Sequence, residues 1–183
     1  MVKNDEEILD MSRVRTEATE EWCIKYSEQI NLDEISGLEE QTRGIYGFFI
    51  LDSGKSKCVY IGKAIDIKSR VLEHLTQLKW MQKEVLSTEP ALHIKMLNEA
   101  LREGKKIDIK VLEKVPYEYE EYARDLHHLA YVEYSHIEKY QMAGECLYQF
   151  PEGAFNLKEY DIWLEKKKNR SDTDNGSGCN YSS

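Results

Sequence analysis

Cysteine is scarce and scattered: the 183-residue chain holds four, Cys23, Cys58, Cys146 and Cys179. None forms a Cys-x-x-Cys pair or a Cys/His spacing of the zinc type, which argues against a structural zinc site and leaves reduced thiols as the expectation. No apolar run reaches the roughly 20 residues that a bilayer span requires. No apolar signal core follows Met1-Val2-Lys3-Asn4-Asp5-Glu6-Glu7. The expectation is a cytoplasmic protein with no membrane partner. The sequence also shows no internal repeat, zinc finger, helix-hairpin-helix or long basic arm. What it does have is an ordinary soluble balance, 41% hydrophobic and 32% charged, in a chain long enough for one domain with a core.

A basic excess is missing too. The net charge is −9, which argues against a nucleic-acid partner until its distribution is considered. Residues 44–115 hold 13 Lys/Arg against 9 Asp/Glu, a local +4, so the remainder of the chain carries −13. A locally basic unit inside an acidic chain can meet phosphates, and such binding weakens steeply with salt. The same lysines would also serve as solvated helix faces.

Along the chain, Ala18, Trp22 and Tyr26 recur at every fourth position and predict a helix over about 13–29. A short helix follows from Asn31-Leu32-Asp33-Glu34 to near Gly37. Strand-like runs cover 44–51 and 58–61, joined by the polar turn Asp52-Ser53-Gly54-Lys55-Ser56-Lys57. Asp66 is a fair N-cap for a helix whose apolar stripe is Ile67, Val71, Leu75 and Leu78. A second helix over 91–102 offers Leu92, Met96, Leu97, Ala100 and Leu101 as its buried face, with Gly104 at its C-terminal cap. Residues 107–111 alternate as a strand, and a long helix over about 118–140 follows Pro116. These elements predict an α/β (α+β) domain, a small three-stranded antiparallel sheet flanked by helices. The expected organisation is an N-terminal helical extension over 1–42, a domain over 43–165 and a disordered tail over 166–183. Trp22 and Tyr26 of the extension are candidates for a homodimer interface.

Several residues carry chemistry. Gly44-Ile45-Tyr46 and Tyr60-Ile61-Gly62 place a tyrosine on each arm of the predicted hairpin. Gly44 and Gly62 permit close approach of backbone or ligand. Arg70 and His74, four apart, share a helix face. Arginine offers a planar fork of donors to phosphoryl oxygens, and histidine exchanges a proton near neutral pH. Cationic neighbours such as Arg70 and Lys63 would stabilise a tyrosinate at Tyr46. Glu133 lies on the face of the long helix that carries Leu129, Ala130, Ile137 and Tyr140, where an unpaired carboxylate is costly. The other acids, Glu118, Glu120, Glu121, Asp125 and Glu138, fall mainly on wetter faces. Each group also has a plainer reading: strand packing for the tyrosines, a surface salt bridge for Arg70, and a solvent-reaching stripe edge for Glu133.

The two tripeptides, followed by Lys63-Ala64-Ile65-Asp66-Ile67-Lys68-Ser69-Arg70, resemble the GIY-YIG nuclease family over about residues 43–157. The stretch from Tyr60 to Arg70 is similar to the nuclease domain of excision-repair incision subunits, and His74 resembles restriction-enzyme members. The resemblance implies a metal-dependent DNA endonuclease whose site residues match Tyr46, Tyr60, Arg70 and Glu133, with Asn156 as an accessory. It implies one divalent ion, Mg²⁺ or Mn²⁺, on Glu133, a DNA phosphate backbone as partner, and Tyr46 aided by His74 or Lys63 in activating water. Three departures stand out: residues 47–59 make a slightly long hairpin connection, 142–153 read as an insertion before Asn156, and the overall acidity is unusual for a nuclease acting alone. The alternative is a catalytically silent module on the same fold that binds nucleic acid or a recruiting protein.

Overall fold

The computed structural model describes residues 22, 26, 28–83, 89–150, 161–162 and 164–165. The chain divides into two compact units, Met1–Gln149 and Phe150–Ser183, and residues 161, 162, 164 and 165 of the second are helical. The expected domain over 43–165 spans this division. The predicted tail over 166–183, Asn156 and most of the predicted helix over 13–29 lie outside the described residues.

The first unit runs β1 (Ile30–Asn31), α1 (Asp33–Ser36), β2 (Gly44–Asp52), β3 (Lys55–Ala64), α2 (Ile67–Gln82), α3 (Leu92–Arg102), β4 (Lys106–Lys114) and α4 (Tyr122–Met142). One four-stranded sheet has the order β1-β4-β2-β3. Its β3-β2-β4 part is antiparallel, while β1 joins β4 in parallel. The expectation of three antiparallel strands is therefore corrected to four strands in a mixed sheet. The added strand is two residues long, too short for any period to mark it in sequence. It is held by Ile107 N–H donating to Gln29 C=O at 2.6 Å and by Asn31 Nδ2–H donating to Asp108 Oδ1 at 3.0 Å. Beyond it, the Glu34 carboxylate accepts from Val111 N–H at 2.9 Å, so a side chain closes what β1 leaves open.

The hairpin is longer and tighter than the sequence suggests. Ser53 and Gly54 both adopt positive φ, 49° and 81°, the pattern of a two-residue turn that matches strand twist. Residues read as a long connection are thus paired strand, with Leu51 opposite Ser56 and Asp52 opposite Lys55.

Alternation along β2 divides the core. Tyr46 and Phe48 face a cluster built with Val71, Leu75 and Leu78 of α2 and Ile94, Leu97 and Leu101 of α3. Ile45 and Phe49 face a second cluster with Leu129, Val132 and Ile137 of α4. Each buried aliphatic or aromatic side chain contributes roughly 1.5–3 kcal/mol. Asp66 caps α2 by accepting from Ser69 N–H at 3.2 Å. Past α3, Gly104 N–H donates to Leu101 C=O and Lys105 N–H to Ala100 C=O, the paired bonds of a Schellman stop. Leu92, expected on the buried face of that helix, is exposed, and Ile94 takes the core position. Trp22 is buried in the first cluster, with its ring centroid 4.7 Å from that of Tyr26. Among the described residues no helix is long and apolar enough to cross a membrane.

Asp125, expected on a wet face, is buried. Its carboxylate meets Arg43 at 2.6 Å, and the Arg43 guanidinium also donates to the carbonyls of Val115, Pro116 and Asp125. The start of β2, the exit of β4 and the first turn of α4 are tied at this one guanidinium.

A side chain at Gly44 has no space: a Cβ there would lie 2.1 Å from the Glu113 carbonyl oxygen and 3.0 Å from Lys114 Cα. Backbone cannot yield as a side chain can. Gly44→Ala is expected to cost about 1–3 kcal/mol, as overpacking does. Gly37→Ala, whose Cβ would meet only Asp33 O at 3.6 Å, should leave stability within about 1 kcal/mol. Urea midpoints of the two variants check this, and equal midpoints would contradict it.

Candidate active site

Strand register assembles the two tripeptides. Gly44 pairs with Ala64, Ile45 with Lys63, Tyr46 with Gly62 and Phe48 with Tyr60. Tyr60 is therefore a diagonal neighbour of Tyr46 on the same sheet face, with ring centroids 6.3 Å apart. A bulge follows, where Phe49 pairs with Cys58 and Val59 is the extra residue. The glycine opposite Tyr46 provides the room for its phenol: a Cβ on Gly62 would lie 2.6 Å from Tyr46 Oη and 2.9 Å from the Tyr60 ring.

The capped start of α2 sets Arg70 and His74 one turn apart over this face. His74 is buried, and its Nε2 lies 2.9 Å from Tyr46 Oη. Its Nδ1 lies 3.1 Å from Nε2 of His93, a residue of α3 that in turn stacks on the Tyr60 ring at 4.0 Å and 18°. Arg70 is half exposed and holds Glu73 at 2.6 Å. An exposed pair of this kind is worth about 0–1 kcal/mol, so a phosphate can take the guanidinium from it.

Burial dominates the electrostatics. Tyr46 is raised well above the ordinary phenol range, first by burial and then by Tyr60, while Arg70 pulls the other way and loses. Tyr60 is raised as well, by burial and then by the charge of Glu133, against the pull of Arg70. Both phenols hold their protons at neutral pH. His74 is lowered from 6.5 to about 3 by burial, then by His93 and Arg70. His93 is lowered from 6.5 to about 4 by burial and then by Arg70. The two rings are neutral, each with one donor and one acceptor nitrogen.

Glu133 lies on α4, which covers the other face. One oxygen accepts from the Lys63 backbone N–H at 3.0 Å, and the other meets the Lys63 ammonium at 2.6 Å. The carboxylate lies at the edge of β3, and its charge is felt at Tyr60. Lys63, expected beside Tyr46, has its ammonium on Glu133. Of the expected residues, then, Tyr46, Tyr60, Arg70 and His74 converge, with Gly62 as the floor. Lys63 and Glu133 form a second group at the strand edge. Among the described residues no three His, Cys, Asp or Glu side chains group to hold a metal.

Two features escaped the sequence reading. His93 shares a helix face with Leu97, Ala100 and Leu101, and assigning Leu92 to the core hid that phase. Past α4, Gln149 accepts from Ile61 N–H at 2.8 Å and donates to Ile61 C=O, while Glu145 accepts from Cys58 N–H at 2.5 Å. The segment read as an insertion supplies the missing neighbour of edge strand β3. No family model, curated protein or solved structure matches the chain.

The histidines give a pH signature. Their folded values lie below the unfolded 6.5, so from about pH 6.5 down to about pH 4 the unfolded chain binds more protons. Stability contributed by the neutral rings is present above that window and lost as pH falls through it. Urea midpoints should fall across this range and fall less in His93→Phe. A wild-type midpoint independent of pH over the same range would contradict the burial argument.

Proposed function

We propose that the chain is a metal-dependent DNA endonuclease that hydrolyses phosphodiester bonds at a GIY-YIG site. The supporting observation is the convergence of Tyr46, Tyr60, Arg70 and His74 over Gly62, with His74 Nε2 at 2.9 Å from the Tyr46 hydroxyl. Strand packing alone would not need a half-exposed guanidinium beside two phenols.

In this reading Arg70 leaves Glu73, binds a non-bridging phosphate oxygen and stabilises the charge that builds on it. Tyr46 activates the attacking water. Its hydroxyl lies 2.9 Å from His74 Nε2, the acceptor placed to take its proton. Tyr60 completes the hydrogen-bonding surface. Glu133 would hold a single divalent ion, Mg²⁺ or Mn²⁺. Its carboxylate already faces one cation, the Lys63 ammonium, and is 16% exposed, which suits an ion that accepts one carboxylate and fills its other positions with water and phosphate oxygens. When bound, that ion would polarise the phosphate and stabilise the leaving oxygen.

A second reading is a catalytically silent module that binds nucleic acid or a recruiting protein. It draws on the net charge of −9 and on the occupation of Glu133 by Lys63. Plasmid, branched and single-stranded DNA incubated with the chain in Mg²⁺ or Mn²⁺, and in EDTA, separates the two. Metal-dependent product is expected, lost in Arg70→Ala and in Glu133→Ala with the circular dichroism spectrum retained. No product on any DNA favours the silent module. Cleavage at the wild-type rate by Glu133→Ala sinks the metal assignment.

A further inference from the structure

His93 lies outside the two tripeptides and the helix that follows them, yet it is the second neighbour of Tyr46 along an unbroken line of polar atoms. Tyr46 Oη is 2.9 Å from His74 Nε2, and His74 Nδ1 is 3.1 Å from His93 Nε2. The line is walled by rings. Tyr60 stacks on His93, and Phe48 meets His74 edge-on at 5.6 Å. Both ring nitrogens of a buried histidine are thus spent on titratable partners, where packing alone would be served by an apolar side chain.

We propose, resting on the nuclease reading above, that His93 is a positioning residue which holds His74 in one tautomer and receives the proton that Tyr46 releases through it. A neutral imidazole donates from one nitrogen and accepts at the other, so the line has a direction. At rest the Tyr46 O–H donates to His74 Nε2, His74 Nδ1–H donates to His93 Nε2, and His93 carries its proton on Nδ1. During transfer the Tyr46 O–H bond breaks as an N–H bond forms at His74 Nε2. The His74 Nδ1–H bond breaks as an N–H bond forms at His93 Nε2. Tyr46 becomes a phenolate and His93 an imidazolium, so one proton has moved and the total charge is unchanged. The phenolate then takes a proton from the attacking water.

The groups that bear on His93 define how this step is tuned. Tyr46 from β2, Tyr60 from β3, and His74 and Arg70 from α2 surround it, while Lys95 on its own helix is paired with Glu89 at 2.5 Å in solvent. Arg70 favours the phenolate at one end and disfavours the imidazolium at the other. An anionic phosphate drawn to Arg70 would offset both effects.

The test uses His93→Phe, which keeps a ring against Tyr60 but has no nitrogen, and His93→Gln, which can bond His74 but cannot take its proton. Both should fold with a melting temperature near wild type. In the metal-dependent cleavage assay, kcat at neutral pH should fall about 100-fold in each, within the range of a lost proton-transfer group. KM for DNA should not move, and the deficit should shrink toward alkaline pH as hydroxide replaces the relay. A wild-type kcat in either variant, or an equal deficit at every pH, would overturn the proposal. The relay's resting arrangement is read without activity, from ¹⁵N shifts of the histidine rings in the wild-type chain. His74 should be protonated on Nδ1 alone, and should become a tautomer mixture in His93→Phe. A mixture already present in wild type would overturn the proposal even if DNA is cut. A wild-type chain that cuts no DNA ends the nuclease reading and the transfer step with it, while the ring shifts still decide the hydrogen-bonded line.

Discussion

Tyr46 stands opposite Gly62 across the central hairpin, and that pairing determines where every other site group can be. With a glycine facing it, the phenol lies across β3, where a Cβ would otherwise be 2.6 Å from its oxygen. Tyr60, two residues before that glycine, then comes within ring contact of Tyr46 on the same face. The Tyr46 hydroxyl ends against α2 at the position of His74. Lose the gap at Gly62 and the phenol must move, taking with it the histidine line and the approach to Arg70. Two residues before Tyr46, Gly44 lets β2 and β4 close to backbone contact on the opposite side of the strand.

The electrostatic problem follows from the same geometry. A tyrosine placed so deep loses the solvation of its charged form, and one half-exposed arginine does not restore it. A charged neighbour alone therefore does not make Tyr46 a base. The group within hydrogen-bonding distance of its hydroxyl is a neutral histidine, His74, at 2.9 Å. The cationic residue expected to help, Lys63, instead meets Glu133, so the charged pair and the Tyr46–His74 hydrogen bond are separate groups.

Much of this was legible in the sequence, and the failures have physical reasons. The tyrosines, Arg70 and His74 could be placed because register and helix period act over a few residues, and the Asp66 cap fixed the phase of α2. The four-stranded sheet was missed because β1 contributes two residues and is defined by its partner, not by a pattern of its own. His93 was missed because α3 is amphipathic in more than one phase, and only packing decides that Ile94, not Leu92, enters the core. Asp125 was misplaced because its partner, Arg43, is distant in sequence. The bonds of Gln149 to Ile61 are likewise long-range side-chain work: an amide stands in for a neighbouring strand beside the second tripeptide.

In the nuclease reading proposed above, the Tyr46 oxygen is chemically active and not just a packed phenol. Single-turnover cleavage of DNA by Tyr46→Phe in Mg²⁺ tests it most directly, since this change removes one oxygen and keeps the ring. The expected rate is lower by about 10²–10⁴-fold, the span of a lost acid–base group, with the fold retained. A rate equal to wild type would show that the hydroxyl opposite Gly62 is structural, and would overturn that role for Tyr46.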